Sequence, residues 1–374
     1  MPRIAIVHDN FAQMGGAERV AEAIYNLLPG ADLYTTLSVP ERLSPGLRAA
    51  RIKTSWMQCL PARSKLYRHY FCLYPFAIEG MDLTEYDLVV SSCFGYAKGI
   101  NTRPDATHIC YCHTPPRWIW RYGDYSAREE FNPLTKALLP PLLSKIRRWD
   151  IKASRKPSYF IANSRVIASR IRDTYKRDAF IINPPIETKR FFIAERPGKY
   201  YLVLSRLVPY KRIDLAIRAC TALGRQLVVI GDGPDRRRLE SLAGPTVKFL
   251  GRQPDTVVTE HLARCAALLF TGEEDFGMAP LEANASGRPV IAFRGGGTTD
   301  TIVEQETGLF FDQPVSAAVE AGILDCESRF WEPSALRRHA ESYSREVFES
   351  RFLSFIDSVI GSPAKHPIAV VASA

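Results

Sequence analysis

Short apolar runs alternate along this chain with longer segments of helical period, and this alternation limits the possible fold more than any other feature. Strands that are buried on both faces of a sheet appear as such short apolar runs. Alternating strands and helices form parallel sheets that helices cover on both faces. In the first half of the chain, the predicted strands are 3–8, 31–36, 87–92, 107–113 and 159–164, with a helix over 16–28.

The same pattern starts again after a segment rich in proline and glycine. Residues 182–199 include Pro184-Pro185 and Pro197-Gly198, which are strong signals for an interruption. The strands predicted beyond this segment are 200–205, 226–231, 247–251, 267–271, 289–293 and 308–311. The sequence therefore predicts an α/β protein with two doubly wound, Rossmann-like domains. They would face a central cleft, with sites outside the carboxyl ends of the strands.

We place the domain boundary at this interruption. The prediction is an N-terminal domain over 1–183 and a second domain over 184–335. A helical pattern over about 334–360 predicts that residues 336–374 form a helical segment. This segment would pack back on the N-terminal domain and end in a weakly ordered tail.

Composition narrows the class of protein further. A chain of 374 residues fits two cores better than one. No apolar run is long enough to span a membrane, and the run that ends at His8 is too short for a signal peptide. Eight scattered cysteines are typical of a reduced, cytosolic protein. The net charge of +9 admits nucleic acid, an anionic membrane, phosphorylated substrates or a basic surface without a partner. Because no nucleic-acid-binding motif appears, we expect no nucleic acid.

Three candidate sites for an anion follow predicted strands. Gly15 and Gly16 open the first helix, where backbone N–H groups can approach an anion, although a plain tight turn is the alternative. Arg206 and Lys211 lie where a helix begins, and a diphosphate would offset their charge there. A solvated basic turn is the alternative. Gly231 follows another strand, either to contact a ligand or only to turn the chain.

Two carboxylates flank a Phe-Gly turn in the stretch TGEEDFGMAPLEANASGRPVIAFR. Glu274 lies in the loop, and Phe276-Gly277 would let backbone N–H groups face the cleft. Pro280 suits the first turn of a helix, so we predict a helix through 281–286, closed by Gly287, with Glu282 in its first turn. Two such carboxylates can accept hydrogen bonds from sugar hydroxyls. One helix cap and one solvated glutamate is the alternative.

His113 ends a predicted strand of the first domain, in the stretch CYCHTPPR. Cys110, Cys112 and His113 could suggest zinc, but a second pair of ligands is missing, so we expect no metal. A buried structural histidine is one interpretation, and a polar role in the cleft is the other.

Taken together, these motifs resemble a family-4 retaining glycosyltransferase of GT-B fold. The resemblance extends from Gly15-Gly16 to Gly308, and its most specific part is Glu274, Phe276-Gly277 and Glu282 before a Gly-x-Pro-Val strand. Arg206 and Lys211, and Asn163-Ser164 followed by Pro184-Pro185, fit the same pattern.

The resemblance implies a role for each of these residues. Glu274 and the backbone at Phe276-Gly277 would hold the hydroxyls of the donor sugar, and Glu282 would bind the ribose. Arg206 and Lys211 would neutralise the diphosphate, near Gly15 and Gly16, and Gly231 is a further candidate for donor binding. His113 would contact the sugar and align the reacting centre, so His113 and Glu274 are the candidate catalytic residues. The resemblance also implies transfer with retention, without a side-chain nucleophile, a metal or another cofactor.

The stretches VHDNFAQMGGAERV and CHTPPRWIW resemble a subgroup of bacterial polysaccharide and O-antigen mannosyltransferases. This implies GDP-mannose as the donor and a saccharide on a polyprenyl diphosphate as the acceptor. Two stretches that mix basic and apolar residues, 54–76 and 138–156, would favour an anionic membrane surface. Core aromatics with a solvated basic face are the alternative. We therefore expect a cytoplasmic, peripheral protein at the inner face of the membrane. The candidate residues for acceptor or membrane binding are Lys65, Arg68, Arg117, Arg147 and Arg148.

Other classes of function remain open from the sequence. The same fold could use a UDP-sugar, or it could serve a sugar-nucleotide epimerase, which needs no acceptor site. A non-catalytic binding protein for nucleotide-sugars or nucleic acid is a third possibility. A dinucleotide-dependent dehydrogenase is disfavoured, because G-x-G-x-x-G is absent after the first strand.

Overall fold

The computed structural model describes residues 2–121 and 133–360, which divide into two compact units. The N-terminal unit contains the chain up to Asn183 and the segment from Glu349 onward. The C-terminal unit contains Pro184–Phe348.

Seven parallel strands form the main sheet of the N-terminal unit, in the order β3-β2-β1-β5-β7-β8-β9. Strands β4 and β6 pair in a separate two-stranded sheet. The central strands β5 and β7 are almost entirely buried, in agreement with their continuous apolar character. The bounds are β1 Ile4–His8, β2 Asp32–Thr35, β3 Ile52–Thr54, β4 Asp82–Leu83, β5 Leu88–Cys93, β6 Asn101–Thr102, β7 Thr107–Cys112, β8 Tyr159–Ala162 and β9 Phe180–Ile181.

The register of this sheet brings three strand ends to one edge. His8 lies opposite Ser92, and Cys93 lies opposite Cys112, so His113 directly follows at the same edge. The helices of the N-terminal unit that precede Asn183 are α1 Gly16–Leu27, α2 Pro45–Ala49, α3 Arg63–Leu66, α4 Tyr74–Glu79, α5 Arg117–Trp120, α6 Pro133–Ala153 and α7 Arg165–Tyr175.

Local sequence explains the ends of the long helices. Helix α1 turns Val20, Ala21 and Ile24 inward at helical spacing, and its N-cap is Gly15. Helix α7 begins after Ser164, whose hydroxyl accepts a hydrogen bond from the backbone N–H of Ile167.

Six parallel strands form the sheet of the C-terminal unit, in the order β12-β11-β10-β13-β14-β15. The bounds are β10 Tyr201–Leu204, β11 Leu227–Ile230, β12 Val247–Gly251, β13 Leu268–Phe270, β14 Val290–Phe293 and β15 Gly308–Phe311. The helices are α8 Ile213–Ala222, α9 Arg236–Leu242, α10 Asp255–Arg264, α11 Met278–Ala285, α12 Thr298–Thr301, α13 Ser316–Ser328 and α14 Pro333–Glu341. The last helix, α15 Arg345–Val359, begins in this unit and continues into the N-terminal unit from Glu349. Apolar side chains from both faces of this sheet form two core clusters.

The predicted boundary at residue 336 is wrong. Helix α14 belongs to the C-terminal unit, because Arg337 donates hydrogen bonds to the backbone carbonyls of Phe191 and Ala285, at 2.9 and 3.1 Å. The segment that joins the N-terminal unit starts at Glu349, where the ring of Phe355 packs against Phe180, with 4.7 Å between their centroids. The expected tail over 361–374 lies outside the described residues.

The helix predicted over 281–286 begins three residues earlier, at Met278. Gly277 is its N-cap, with φ of +89°, a left-handed conformation that favours glycine. Pro280 remains in the first turn, but Glu282 lies in the second turn rather than the first.

Candidate functional site

His113 is held by its backbone at the carboxyl edge of the N-terminal sheet. Its N–H donates to the carbonyl of Cys93 at 2.8 Å, and its own carbonyl accepts from the Asn163 side chain at 3.0 Å. The side chain is 8% exposed, and burial lowers the pKa of His113 to about 3. The imidazole is therefore neutral near pH 7 and can both donate and accept a hydrogen bond.

Asp9, which the sequence did not single out, shapes the neighbouring loop. Its two carboxylate oxygens accept hydrogen bonds from the four successive backbone N–H groups of Phe94 to Ala97, at 2.6–2.8 Å. These groups begin the short 3-10 helix Ala97–Gly99 directly after β5. A buried carboxylate thus fixes the loop after β5 beside the strand that carries Ser92.

A buried ion pair extends this support. Lys98 Nζ lies 2.5 Å from Asp150 Oδ1, and both side chains are almost fully enclosed. Asp150 Oδ2 also accepts hydrogen bonds from Trp120 Nε1 at 2.7 Å and from the Tyr175 hydroxyl at 2.8 Å. Because a buried charge without a partner is costly, this network ties helices α5, α6 and α7 to the loop after β5.

Gly15 and Gly16 lie where the sequence predicted, at the start of α1. The N–H of Gly15, however, donates to Oε2 of Glu18 at 2.9 Å, so a carboxylate of the chain already occupies this helix end. Burial raises the pKa of Glu18 to about 7, and the nearby Asp9 contributes to the increase. A further anion at this position would meet the Glu18 carboxylate.

In the C-terminal unit, the structure brings Lys211 and Glu274 together. Lys211 ends a 3-10 turn after β10, and its ammonium contacts the Glu274 carboxylate in an ion pair. The Thr271 hydroxyl donates to the Lys211 carbonyl at 3.1 Å, and a Cβ added to Gly272 would lie 2.5 Å from Lys211 Cα. Close packing at Gly272 therefore sets the position of Lys211 against the end of β13.

A small pocket opens at these strand ends. It is lined by residues at the carboxyl ends of β10 and β13 and by the turn that follows β10, namely Val203, Leu204, Ser205, Lys211, Ile213, Leu269, Phe270, Thr271 and Gly272.

Arg206 and Gly231 lie beside the same strand ends. Arg206 is exposed after β10. Gly231 has φ of +136°, and a Cβ at this position would lie 1.8 Å from the carbonyl oxygen of Ser205. Only glycine allows the chain after β11 to approach the chain after β10 this closely.

The loop from Glu274 to Gly277 is fixed by a second glycine turn. Gly297 donates its N–H to the Glu274 carbonyl at 2.8 Å, and a Cβ added to Gly297 would lie 2.3 Å from Phe276 Cα. Phe276 is buried and packs against Tyr343, with 6.0 Å between ring centroids. The backbone of the Phe-Gly turn is therefore held on both sides.

Glu282 has a cationic neighbour that the sequence did not indicate. Arg190 Nη2 lies 3.7 Å from Glu282 Oε1, and Arg190 Nη1 lies 2.6 Å from Asp255 Oδ2. No spacing could have revealed this, because Arg190 and Glu282 are distant in the chain.

The candidate residues for acceptor or membrane binding have different surroundings. Lys65, Arg68 and Arg148 are exposed, and Arg117 is half-buried as the first residue of α5. Arg147 donates from Nε and Nη2 to the carbonyl of Ile119, at 2.9 and 2.7 Å, so it anchors α5 to α6.

Residues 186–346 match the family model "Glycosyl transferases group 1". This matched region covers nearly all of the C-terminal unit, Pro184–Phe348, and less than half of the whole chain. It includes Arg206, Lys211, Gly231, Glu274 and Glu282, so each candidate donor-binding residue after the boundary lies in the matched region.

The chain is also similar to curated proteins and to solved structures. It is 39% identical over 107 residues to a GDP-mannose-dependent alpha-mannosyltransferase of Mycobacterium tuberculosis, which covers 28% of each chain. Sucrose-phosphate synthase from Thermosynechococcus elongatus has a TM-score of 0.73 at 16% identity, over 97% of this chain and 100% of that one. Anabaena HepE in complex with UDP and glucose has a TM-score of 0.72 at 16% identity, over 96% and 100%.

The structural similarity shows that the fold is GT-B, which confirms the predicted fold class. The alignments to the curated relatives are shorter. The chain spans 28–47% of the length of the first three relatives.

Within 2–121 and 133–360, no group of three or more His, Cys, Asp or Glu side chains converges as metal ligands would. In the same ranges, no helix is both long and apolar enough to cross a membrane.

Proposed function

We propose that this protein is a retaining glycosyltransferase, with mannose from GDP-mannose as the favoured donor. The match of residues 186–346 to the group 1 family carries this proposal. The pairing of Lys211 with Glu274 at the strand ends of that domain supports it. The GDP-mannose donor is favoured because a relative that is 39% identical over 107 residues of this chain is a GDP-mannose-dependent alpha-mannosyltransferase.

The chemistry proposed for the C-terminal unit uses charge and backbone N–H groups. Arg206 and Lys211 neutralise the diphosphate, whose negative charge grows as the bond to the anomeric carbon breaks. The Glu274 carboxylate and the backbone at Phe276-Gly277 hold sugar hydroxyls. Glu282 accepts hydrogen bonds from the ribose.

The proposed transfer balances without a side-chain nucleophile. The bond between the anomeric carbon and the diphosphate oxygen breaks, and a bond to the acceptor oxygen forms on the same face of the sugar. The acceptor proton passes to an oxygen of the leaving phosphate. In this scheme His113 contacts the sugar as a neutral imidazole, and no metal or other cofactor takes part.

Lys211 changes partner in this proposal. Without a donor, its ammonium is paired with Glu274 in a partly buried position, with 10% and 28% of the two side chains exposed. A diphosphate offers more negative charge than one carboxylate, so it attracts the ammonium more strongly. Donor binding would then release Glu274 to accept hydrogen bonds from the sugar.

The proposed acceptor is a saccharide on a polyprenyl diphosphate, in bacterial exopolysaccharide or O-antigen synthesis. This acceptor implies a cytoplasmic protein that binds reversibly to the inner face of the cytoplasmic membrane. The stretch 54–76 supports this, since it contains the exposed cations Lys65 and Arg68. In the same stretch, Trp56, Leu66 and Phe76 are 49%, 39% and 68% exposed.

The experiment that tests the donor measures both binding and release of nucleotide. GDP-mannose, GDP-fucose, UDP-glucose and UDP-N-acetylglucosamine are each added with EDTA, and thermal shift and freed nucleotide are recorded. Wild type is compared with Glu282→Ala and with Glu306→Ala, an exposed glutamate of the same domain.

We expect a shift and slow turnover with GDP-mannose, unaffected by EDTA, that Glu282→Ala loses and Glu306→Ala keeps. A response to a UDP-sugar alone would overturn the donor but not the transferase, and HepE binds UDP in its structure. Conversion of the sugar nucleotide to an isomer without an acceptor would instead indicate an epimerase. No response to any of the four would contradict the roles of Arg206, Lys211, Glu274 and Glu282.

A further inference from the structure

The Ser92 hydroxyl lies between two buried histidines at the carboxyl edge of the N-terminal sheet. Ser92 Oγ is 3.1 Å from His8 Nδ1 and 2.8 Å from His113 Nε2. The exposed fractions of His8, Ser92 and His113 are 0%, 0% and 8%. The three residues come from the ends of β1, β5 and β7, so the register of the sheet assembles them.

The hydrogen on His8 can be placed by its second contact. His8 Nδ1 also lies 3.1 Å from the backbone carbonyl oxygen of Ser92. A carbonyl oxygen only accepts, so a bond here requires that His8 carries its hydrogen on Nδ1. The other tautomer would bring two lone pairs to 3.1 Å and would bury an N–H at Nε2, which has no partner in the described part of the chain.

The direction of the next bond follows from the first. If His8 Nδ1–H points at Ser92, the Ser92 hydroxyl cannot donate to His8 and instead accepts from it. The hydroxyl hydrogen is then free to point at His113 Nε2, at 2.8 Å. A hydrogen on His113 Nε2 would leave the buried hydroxyl hydrogen of Ser92 without an acceptor, since the described residues offer Ser92 Oγ no partner besides the two histidines. His113 Nε2 is therefore the acceptor, and the hydrogen of the neutral imidazole lies on Nδ1.

His113 Nδ1 has no hydrogen-bond partner in the described ranges, and it is not an enclosed atom as His8 Nε2 is. Burial keeps both rings neutral, since it lowers the pKa of His8 and of His113 to about 3. The contact of Nε2 with Ser92 thus sets the tautomer of His113, and Nδ1–H on the other side of the ring remains available to a ligand.

We propose that Ser92 and His8 are positioning residues that hold His113 in the Nδ1–H tautomer, so that it donates a hydrogen bond to an oxygen of the bound sugar. This inference rests on the proposed function, in which His113 contacts the sugar. The reversed tautomer would present a lone pair to that oxygen, and one misdirected hydrogen bond in the site would slow turnover.

The same strand provides a matched control. Ser91 Oγ lies 2.8 Å from Nε2 of His108, and both of these side chains are buried on β5 and β7. Because successive residues of a strand face opposite sides of the sheet, Ser91 and Ser92 bind different histidines. Ser91→Ala therefore removes an equally buried hydroxyl from an equally buried histidine outside the site.

The first test is nitrogen-15 NMR of the full chain without a sugar nucleotide, because the ring nitrogens report the tautomer directly. His8→Gln and His113→Gln assign the signals among the seven histidines. We expect His113 to have its hydrogen on Nδ1 in wild type and Ser91→Ala. In Ser92→Ala we expect this preference to be lost, and in Ser92→Thr, which keeps the hydroxyl, to be retained. A wild-type His113 with its hydrogen on Nε2 would overturn the proposal.

The second test is kcat/KM for the sugar nucleotide that responds in the donor experiment. We expect Ser92→Ala to lose about tenfold or more, mostly in kcat, while Ser91→Ala stays within about twofold of wild type. Equal losses in the two variants would overturn the positioning role. The NMR result needs no turnover, so failure of the proposed function and failure of this inference can be told apart.

Discussion

The ammonium of Lys211 and the carboxylate of Glu274 form an ion pair across the carboxyl ends of β10 and β13. The two residues come from separate turns, and each turn is held by close packing at a glycine. We expect Lys211→Met and Glu274→Gln each to destabilise the C-terminal unit, because either change leaves a partly buried charge without its partner. In the double variant the two losses should be less than additive, by about 0.5–3 kcal/mol.

Urea unfolding of the wild type and the three variants measures this coupling. The pair Arg236→Met and Glu240→Gln is a control, because it is a more exposed ion pair on one helix of the same unit. A coupling energy no larger than that of the control pair would contradict the expectation that partial burial strengthens the ion pair of Lys211 and Glu274.

Gly231 should tolerate no side chain. Gly231→Ala places a Cβ 1.8 Å from the Ser205 carbonyl at φ of +136°, so the chain after β10 must move. We expect a loss of about 2–4 kcal/mol of folding stability and at least tenfold weaker nucleotide binding. Gly224→Ala is the control, because it also has a positive φ, +63°, but a Cβ there has nothing within 4 Å. It should cost about 1 kcal/mol, and an equal loss at both glycines would disprove the clash.

How far the sequence predicts this fold depends on burial. The central strands were predicted within one or two residues, because strands buried on both faces consist of continuous apolar runs. Strand β3, Ile52–Thr54, was missed, because it lies at the edge, contains Lys53 and is only partly buried. The start of α11 was misplaced, because the N-cap is a glycine in a positive φ rather than Ser, Thr, Asp or Asn.

The candidate site was predictable only where its residues form local motifs. Glu274, Phe276-Gly277 and Glu282 lie within nine positions and were readily recognised in the sequence. The contact of His8 with Ser92 joins residues 84 positions apart, and that of Asp9 with the loop after β5 is equally remote. Such pairs depend on strand register, which local spacing does not encode.

Acid should destabilise the N-terminal unit through its buried histidines. Burial, together with the nearby cations Lys156 and Arg177, lowers the pKa of His108 to about 3. Between about pH 3 and 6.5, the ordinary pKa of histidine, the unfolded chain binds a proton at His108 that the folded chain does not. Stability therefore falls as pH falls through this window, by ~1.4 kcal/mol per pH unit for this residue.

His108→Gln should remove that part of the slope. Urea midpoints at pH 7, 6 and 5 would be compared for wild type, His108→Gln and His69→Gln, an exposed histidine of the same unit. Burial also lowers the pKa of His8 and of His113 to about 3, so the stability of the variant should still fall with pH, but less steeply. Identical slopes in wild type and His108→Gln would show that this imidazole is not kept neutral by burial.

Glu18 should give the opposite pH dependence. Burial raises the pKa of Glu18 from 4.5 to about 7, so the folded chain holds a proton that the unfolded chain has released in this window. Stability is then lost as pH rises from about 4.5 to 7, by up to ~3 kcal/mol. Glu18→Gln keeps an oxygen for the N–H of Gly15 but has no charge to bury, so it should be more stable than wild type at pH 8.

The melting temperatures of wild type, Glu18→Gln and Glu41→Gln at pH 5 and pH 8 test this expectation. Glu41 is an exposed glutamate of the same unit and should have no effect. A wild type that is as stable as Glu18→Gln at pH 8 would mean that the carboxylate is well solvated or paired.

Membrane association is tested by flotation with vesicles of anionic lipid. The stretch 54–76 contains the exposed cations Lys65 and Arg68 and the exposed apolar residues Trp56, Leu66 and Phe76, a combination that suits the boundary of an anionic bilayer. We expect wild type to float at low salt and to be released as salt increases, because exposed charges are screened. The double variant Lys65→Glu with Arg68→Glu should float several-fold less.

A double variant of Arg237→Glu with Lys248→Glu, at exposed positions in the other unit, changes the net charge equally and should still float. Equal losses in the two variants would assign the binding to overall charge rather than to this surface, and no flotation of wild type would reject the membrane proposal.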